Sequence, residues 1–107
     1  MNILIYLHII NIVIHMKDLK EALGSIKILS NANRFAIMSL LFEAKKDLCV
    51  SEIAEAIGIS QSLASHQLAY LEARGVVEGH RMGQMICYIP SATPLSKKVA
   101  RVIQSLK

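Results

Sequence analysis

A short helical segment, a glycine-containing turn and a second helix follow one another in the middle of the chain. The first segment, residues 52–57, is followed by Gly58, where a helix needs a left-handed residue in order to stop. Ser60 then offers a side-chain cap for a second helix over residues 61–74. Two helices joined by so short a turn have helix-turn-helix geometry. This arrangement restricts the fold more than any other part of the sequence.

Three more helices are predicted from the spacing of apolar residues. Residues 18–29 and 95–106 each carry an amphipathic pattern, with apolar side chains three and four positions apart. Residues 34–43 are apolar on nearly every side, so we predict that this helix is central. The polar run over residues 30–33 breaks the chain before it and offers capping side chains.

A β-hairpin is predicted directly behind the helix-turn-helix. The second helix ends at Gly75, and two β-prone runs follow at residues 76–81 and 84–89. Gly83 between them supplies the positive φ of a tight turn. The predicted fold is therefore mainly α: a winged helix-turn-helix with a two-stranded hairpin as the wing and a helix at the C-terminal end.

The predicted second helix of the motif has a core stripe and an opposite polar face. Ala64, Leu68 and Leu71 lie at i, i+4 and i+7 and form the stripe. The opposite face carries short hydrogen-bonding side chains, and a helix that protrudes in this way fits the major groove of B-DNA. We therefore predict contacts with bases or phosphates from Ser60, Gln61, Ser62, Ser65 and His66.

The hairpin tip adds two candidates, Arg81 and Gln84, of which Arg81 is suited to a phosphate or minor-groove contact. The chain has 12 basic and 8 acidic residues, a net charge of +4. This agrees with double-stranded DNA as a partner without being specific for it. Because the charge is modest, we expect affinity to come from two copies of the chain.

Residues 1–16 differ from the rest, with 12 hydrophobic residues and no charged one. The run is short for a transmembrane helix and is interrupted by His8 and Asn11, and it lacks a basic region and a cleavage site for secretion. We expect no membrane contact. Two interpretations stay open: a helix buried against a second chain, or a misassigned start upstream of Met16. The sequence divides into this extension and a DNA-binding domain over residues 17–107.

Several stretches resemble the ArsR-type (ArsR/SmtB) winged-helix repressors. They are residues 48–54, residues 60–68, the run Arg81-Met82-Gly83-Gln84 before Tyr88, and residues 29–34, which lead into the predicted helix over residues 34–43. The resemblance covers about residues 19 to 106. It implies a cytoplasmic homodimer, joined by its first and last helices, that represses at an imperfect palindrome until an inducer arrives.

Apolar residues on the first and last predicted helices suit the dimer that the resemblance implies. The alternative is that they are buried within a single chain. The predicted interface residues are Leu19, Leu23, Ile26, Leu95, Val99, Val102 and Leu106.

The inducer is where the sequence departs from the family. Relatives that sense metals often carry a Cys-Val-Cys pair, whereas this chain has Cys49-Val50-Ser51, and residues 94–107 contain no metal-ligating side chain. We therefore predict no metal site and no cofactor. Cys49 and Cys87 are candidates for a redox pair if their Cα atoms lie within about 7 Å. The favoured interpretation is that both are small buried hydrophobic residues.

Two alternative functions are compatible with the predicted fold. A winged helix is also able to act as a protein-interaction module without binding DNA, and a thiol-based redox-sensing repressor is a further alternative. An enzyme is not expected, because no glycine-rich phosphate loop occurs and no serine or cysteine lies at catalytic spacing from a histidine. A hydrophobic share of 53% excludes a disordered chain, and two cysteines exclude a disulfide-built mini-protein.

Overall fold

The computed structural model describes residues 2–107, and in this range it contains five helices and three strands. They are α1 (Ile3–Leu29), α2 (Ala32–Ala44), β1 (Leu48–Cys49), α3 (Val50–Ile57), α4 (Gln61–Ala73), β2 (Val77–Met82), β3 (Met85–Pro90) and α5 (Pro94–Ser105). Apart from the start of α1, the predicted helices and the hairpin lie within one or two residues of these bounds. The mainly helical winged helix-turn-helix prediction is confirmed.

Helix α2 is the centre of the core, as its apolar sequence predicted. Ile37, Met38 and Leu41 are fully buried and pack in one cluster with side chains from α1, α3, α4, α5 and the sheet. The helix begins where the polar run predicted a cap, since the Asn31 side-chain oxygen accepts a hydrogen bond from the Arg34 N–H at 3.1 Å.

The sheet has a third strand that the sequence did not predict. Its order is β1-β3-β2, with both neighbouring pairs antiparallel. Leu48 lies opposite Tyr88, and Cys49 lies opposite Cys87. A two-residue strand has no alternation to read, so only its pairing with β3 defines it. The two strands of the wing hairpin, β2 and β3, therefore belong to a three-stranded sheet.

Helix α1 starts at Ile3 and runs through residue 16 without a break. The Asn2 side-chain oxygen accepts from the Leu4 N–H at 3.0 Å and caps its first turn. Of its 27 residues only Ser25 and Ile28 are buried. Residues 3–16 are exposed in the single chain, so burial of the extension against a second chain stays a prediction.

The long helix gives the molecule extents of 61 × 28 × 22 Å. None of the helices within residues 2–107 has the length and apolar character needed to cross a membrane.

Helix α5 is tied back to the end of α4. The Thr93 hydroxyl caps α5 by accepting from the Ser96 N–H at 3.1 Å, and it donates to the Gly75 carbonyl oxygen at 2.7 Å. The Ser96 hydroxyl donates to the Val76 carbonyl oxygen at 3.3 Å. These bonds satisfy the polar groups where α4 meets the wing, and they fix the position of both relative to α5.

Candidate nucleic-acid interface

The turn between α3 and α4 is closed by backbone hydrogen bonds. Gly58 has a φ of 83°, which confirms the predicted glycine stop. The N–H groups of Gly58 and Ile59 both donate to the Ala54 carbonyl oxygen, at 2.9 and 3.0 Å. The Ser60 hydroxyl oxygen accepts from the Leu63 N–H at 3.0 Å and caps α4, as predicted. The turn therefore fixes the angle at which α4 leaves α3.

Helix α4 has one buried face and one exposed polar face. Ala64, Leu68 and Leu71 have no solvent exposure, which confirms the predicted core stripe. Gln67 is also buried, which was not predicted although its spacing from Ala64 and Leu71 places it on that stripe. The residues predicted to contact DNA all lie exposed on α4, its cap or the wing: Ser60, Gln61, Ser62, Ser65, His66, Arg81 and Gln84.

The tip of the wing combines a cation with apolar side chains. Arg81 is exposed and lies opposite Ile86 in the β2–β3 register. Met82, Met85 and Ile86 are 43 to 52% exposed, an apolar surface that the sequence analysis did not single out. A cation beside apolar side chains suits the rim of a minor groove, where arginine faces phosphates or base edges.

A hydrogen bond joins α4 to the base of the wing. The Gly79 N–H donates to the Glu72 carboxylate at 2.8 Å. The buried Tyr88 ring lies against Gly79 from the neighbouring strand. Burial and, after it, the Glu72 carboxylate raise the pKa of the Tyr88 phenol, so Tyr88 stays neutral at physiological pH. The wing is thus held against α4 by a contact between two different elements, which was not predicted from the sequence.

Arg34 links the end of α1 to α4. Its Nε donates to the Ile28 carbonyl oxygen at 2.8 Å, and a terminal nitrogen donates to the Lys27 carbonyl oxygen at 3.0 Å. The guanidinium carbon lies 4.4 Å from the centre of the Tyr70 ring, and Arg74 lies on the same ring at 4.8 Å. A cation at a helix C-terminus and over an aromatic face is favourable on both counts. Arg34 therefore fixes α1 relative to α4.

The two cysteines are joined in a disulfide between β1 and β3. Cys49 and Cys87 lie opposite one another in the strand register, with Cα atoms 3.7 Å apart, inside the limit of about 7 Å set for bridging. Both are buried, as the favoured interpretation required, but they are bonded rather than separate hydrophobic residues. The bond ties the residue before α3 to the inner strand of the wing.

The residues at the position of the family's metal pair do not fit a metal centre. Cys49 is engaged with Cys87, and Ser51 replaces the second thiolate. Within residues 2–107 no group of three or more histidine, cysteine or acidic side chains is placed to hold a metal ion. A tetrahedral zinc site needs a fuller set of such ligands.

The predicted dimer residues fall into three groups by exposure. Leu19, Leu23 and Ile26 on α1 are 56 to 57% exposed, and Leu106 after α5 is 66% exposed. Leu95 and Val102 are partly buried. The prediction for Val99 is corrected, because its side chain is fully buried in the chain's own core and offers no surface to a partner.

These elements make the chain a winged helix-turn-helix domain. Residues 31–78 match the model of a family described as "Bacterial regulatory protein, arsR family". The chain belongs to this family.

Curated relatives agree with the family assignment. The chain is 38% identical over 71 residues to the cadmium resistance transcriptional regulatory protein CadC of Listeria innocua, a match over 66% of this chain and 59% of the relative. It is 37% identical over 60 residues to the transcriptional repressor SmtB homolog of Synechocystis, over 56% of this chain and 44% of the relative. The matched region thus spans about half of these relatives' length.

Solved structures show the same fold. Reduced HlyU from Vibrio cholerae superimposes with a TM-score of 0.71 at 25% identity, over 85% of this chain and 94% of that one. A homodimeric winged helix-turn-helix DNA-binding domain from Mycobacterium bovis gives a TM-score of 0.64 at 29% identity, over 86% of this chain and 80% of that one. The likeness therefore extends over most of both chains.

Proposed function

We propose that this chain is a sequence-specific DNA-binding transcriptional regulator, a repressor that acts in the cytoplasm as a homodimer on a palindromic operator. Helix α4 carries the proposal, because its apolar stripe is fully buried while the polar side chains predicted to contact DNA are exposed on its other face. A buried face fixes the helix on its domain, and an exposed polar face is what enters a major groove. The family and the relatives described as regulators and repressors support this assignment.

The side chains of the exposed face suit DNA contacts of different kinds. Gln61 matches the N6 and N7 atoms of adenine, and Ser65 and His66 supply donors for base edges or phosphates. The α4 N-terminus, capped by Ser60, adds free backbone N–H groups that favour a phosphate. Arg81 on the wing reaches the backbone or minor groove beside it.

The exposed apolar residues on α1 and after α5 support the proposed homodimer. Leu19, Leu23, Ile26 and Leu106 are each more than half exposed in one chain. Two related copies of α4 then read two half-sites, so the operator mirrors the two-fold symmetry of the protein. A second copy also doubles the net charge of +4 that each chain brings to DNA.

Replacing Ser65 and His66 together with alanine is expected to weaken operator binding about 10- to 100-fold, because each loses a contact worth about 1 kcal/mol or more. The double variant is titrated in gel shifts against a duplex from upstream of the protein's own gene. Far-UV circular dichroism and the thermal midpoint are expected to match those of the unaltered protein, since both side chains are exposed.

The matched control replaces the exposed residues Ser105 and His8, on α5 and α1, with alanine. It is expected to bind within about twofold of the unaltered protein. Equal affinities of the two double variants would contradict the recognition-helix assignment. Weak binding to any duplex at low salt, without a steep salt dependence, would favour a protein-interaction module instead.

A thiol-based redox-sensing repressor is a second candidate, which the Cys49–Cys87 disulfide favours. Cytoplasmic thiols are normally kept reduced, so a disulfide in a cytoplasmic regulator marks a redox event. A small-molecule disulfide is the oxidant in this proposal. Thiolate attack forms a mixed disulfide, the second cysteine displaces the remaining thiol, and two small thiols leave as the protein bond forms. The new bond restrains the wing relative to α3.

Oxidation by a small disulfide is expected to lower operator affinity at least about fivefold, because DNA binding needs α4 and the wing to adjust together. A reductant is expected to restore the affinity. Gel shifts are paired with thiol titration of the same samples. The Cys49→Ala/Cys87→Ala variant is the control and is expected to bind equally under both conditions. Unchanged affinity of the original protein, when titration shows full conversion, would rule out the redox switch and leave DNA binding standing.

A further inference from the structure

One face of α1 carries an unbroken series of apolar residues with heptad spacing. Steps of four and three residues alternate along it, as in the a and d positions of a coiled coil. All seven side chains are 46 to 57% exposed. We call this series the α1 seam: Ile5, Ile9, Ile12, Met16, Leu19, Leu23 and Ile26.

The seam differs from the other faces of α1 because only the seam stays apolar along the whole helix. The other heptad series of the extension also contain apolar residues, but each of them includes a polar residue by its third position. Leu4 is followed by Asn11, Ile10 by Lys17, Val13 by Lys20 and Ile14 by Glu21. The high hydrophobic content of residues 1–16 does not account for the seam, because the seam continues into the part of α1 after residue 16, which also carries charged side chains.

The seam is also separate from the face that α1 uses within its own chain. Ser25 and Ile28 are the buried residues of α1, and they belong to heptad positions other than a and d. The seam residues Ile12, Met16 and Leu19 line a groove of about 330 Å³, together with Asn11 and His15. A side chain from a facing helix fits such a depression in knobs-into-holes packing.

We propose that the α1 seam pairs with the α1 seam of a second copy, so that the N-terminal extension is a coiled-coil continuation of the dimer interface. The inference rests on the proposed homodimer and deepens it, since it assigns residues 3–16 to that interface. The seam has no charged side chain and is self-complementary, as a two-fold interface requires.

The size of the seam agrees with a second copy as its occupant. Seven half-exposed side chains present roughly 700 Å² to a partner, near the ~800 Å² per partner of a stable interface. The three seam residues at the domain end are the same residues that form the exposed α1 part of the proposed dimer: Leu19, Leu23 and Ile26. A partner helix that covers these three residues and continues along α1 also covers the seam residues of the extension, because all seven lie on one face.

The test compares two double lysine variants of the full chain. Ile9→Lys/Ile12→Lys places charges in the seam, and Ile10→Lys/Ile14→Lys places the same charges on the outer faces of the same turns. Sedimentation equilibrium gives the dimer dissociation constant of each. The seam variant is expected to weaken the dimer at least about 100-fold and the control variant less than about threefold, because only seam positions become desolvated.

A second measurement reports on the extension itself. In the unaltered protein, amide hydrogen exchange of residues 3–16 is expected to slow as concentration rises through the dimer transition, because pairing suppresses helix fraying. In the seam variant this dependence is expected to disappear. Exchange in the extension that is independent of concentration would overturn the inference.

Two more arms separate this inference from the proposed function. If Leu19→Lys/Leu23→Lys dissociates the dimer while Ile9→Lys/Ile12→Lys does not, the homodimer stands and the extension is not part of it. Binding to electrically neutral phosphatidylcholine vesicles that both extension variants weaken alike, with dimerisation unchanged, would assign the extension to a lipid surface and overturn the seam. Operator gel shifts on the same samples report on DNA binding separately.

Discussion

Replacing Leu68 with alanine is expected to lower the free energy of unfolding by about 3 to 4 kcal/mol. Leu68 is fully buried on the core side of α4, in one cluster with α2 and the sheet. Removing most of its side chain loses transfer free energy and leaves a cavity that close-packed neighbours fill only in part. Total stabilities of about 5 to 15 kcal/mol make this a large fraction of the whole.

Urea unfolding followed by circular dichroism, at one fixed protein concentration, measures this effect. His66→Ala, two residues earlier on the exposed face, is the control and is expected to change stability by less than about 0.5 kcal/mol. The two variants therefore separate the two faces of α4, one by stability and the other by DNA affinity. Equal and small stability effects would mean that α4 is not anchored through Leu68.

The parts of the site that sequence predicted are those specified by local chemistry. The stop at Gly58 depends on the left-handed backbone of one residue, and the start of α4 depends on one hydroxyl, that of Ser60. The buried stripe through Leu68 follows from a repeat that any helix imposes on its residues. The helix-turn-helix and the exposed face of α4 were therefore predictable without knowledge of the rest of the fold.

The parts that sequence missed depend on which residues meet across the fold. Val99 on α5 and Leu106 just beyond the helix share one apolar stripe, and only the packing of α5 into the core shows that Val99 is buried while Leu106 stays exposed. Strand β1 exists only through its pairing with β3. The bond between Gly79 and Glu72, seven residues apart and on different elements, had no local signal either.

That last contact makes Gly79 a position where a single added methyl group has a large effect. A Cβ on Gly79 would lie 2.9 Å from Cε1 of Tyr88 and 3.0 Å from the Glu72 carboxylate oxygen that accepts the Gly79 N–H. The Tyr88 ring is buried, so it has little room to withdraw. We expect Gly79→Ala to destabilise the protein by about 1 to 3 kcal/mol, as overpacking does in cores.

Gly79→Ala is also expected to weaken operator binding at least about fivefold, because the ring or the carboxylate must move and the wing then shifts relative to α4. Urea unfolding and gel shifts under conditions where the variant is folded measure the two effects separately.

Gly24→Ala is the matched control, since it adds the same methyl group in the interior of α1. There the nearest atom is the Leu95 side-chain tip at 3.4 Å, an ordinary contact. Glycine inside a helix costs about 0.5 to 1 kcal/mol relative to alanine, so this variant is expected to gain stability by about that amount. If the added methyl group lowers stability at Gly79 and raises it at Gly24, then the close approach of Tyr88, and not the loss of glycine as such, causes the destabilisation of Gly79→Ala. A stable Gly79→Ala protein with unchanged operator affinity would contradict the coupling between α4 and the wing.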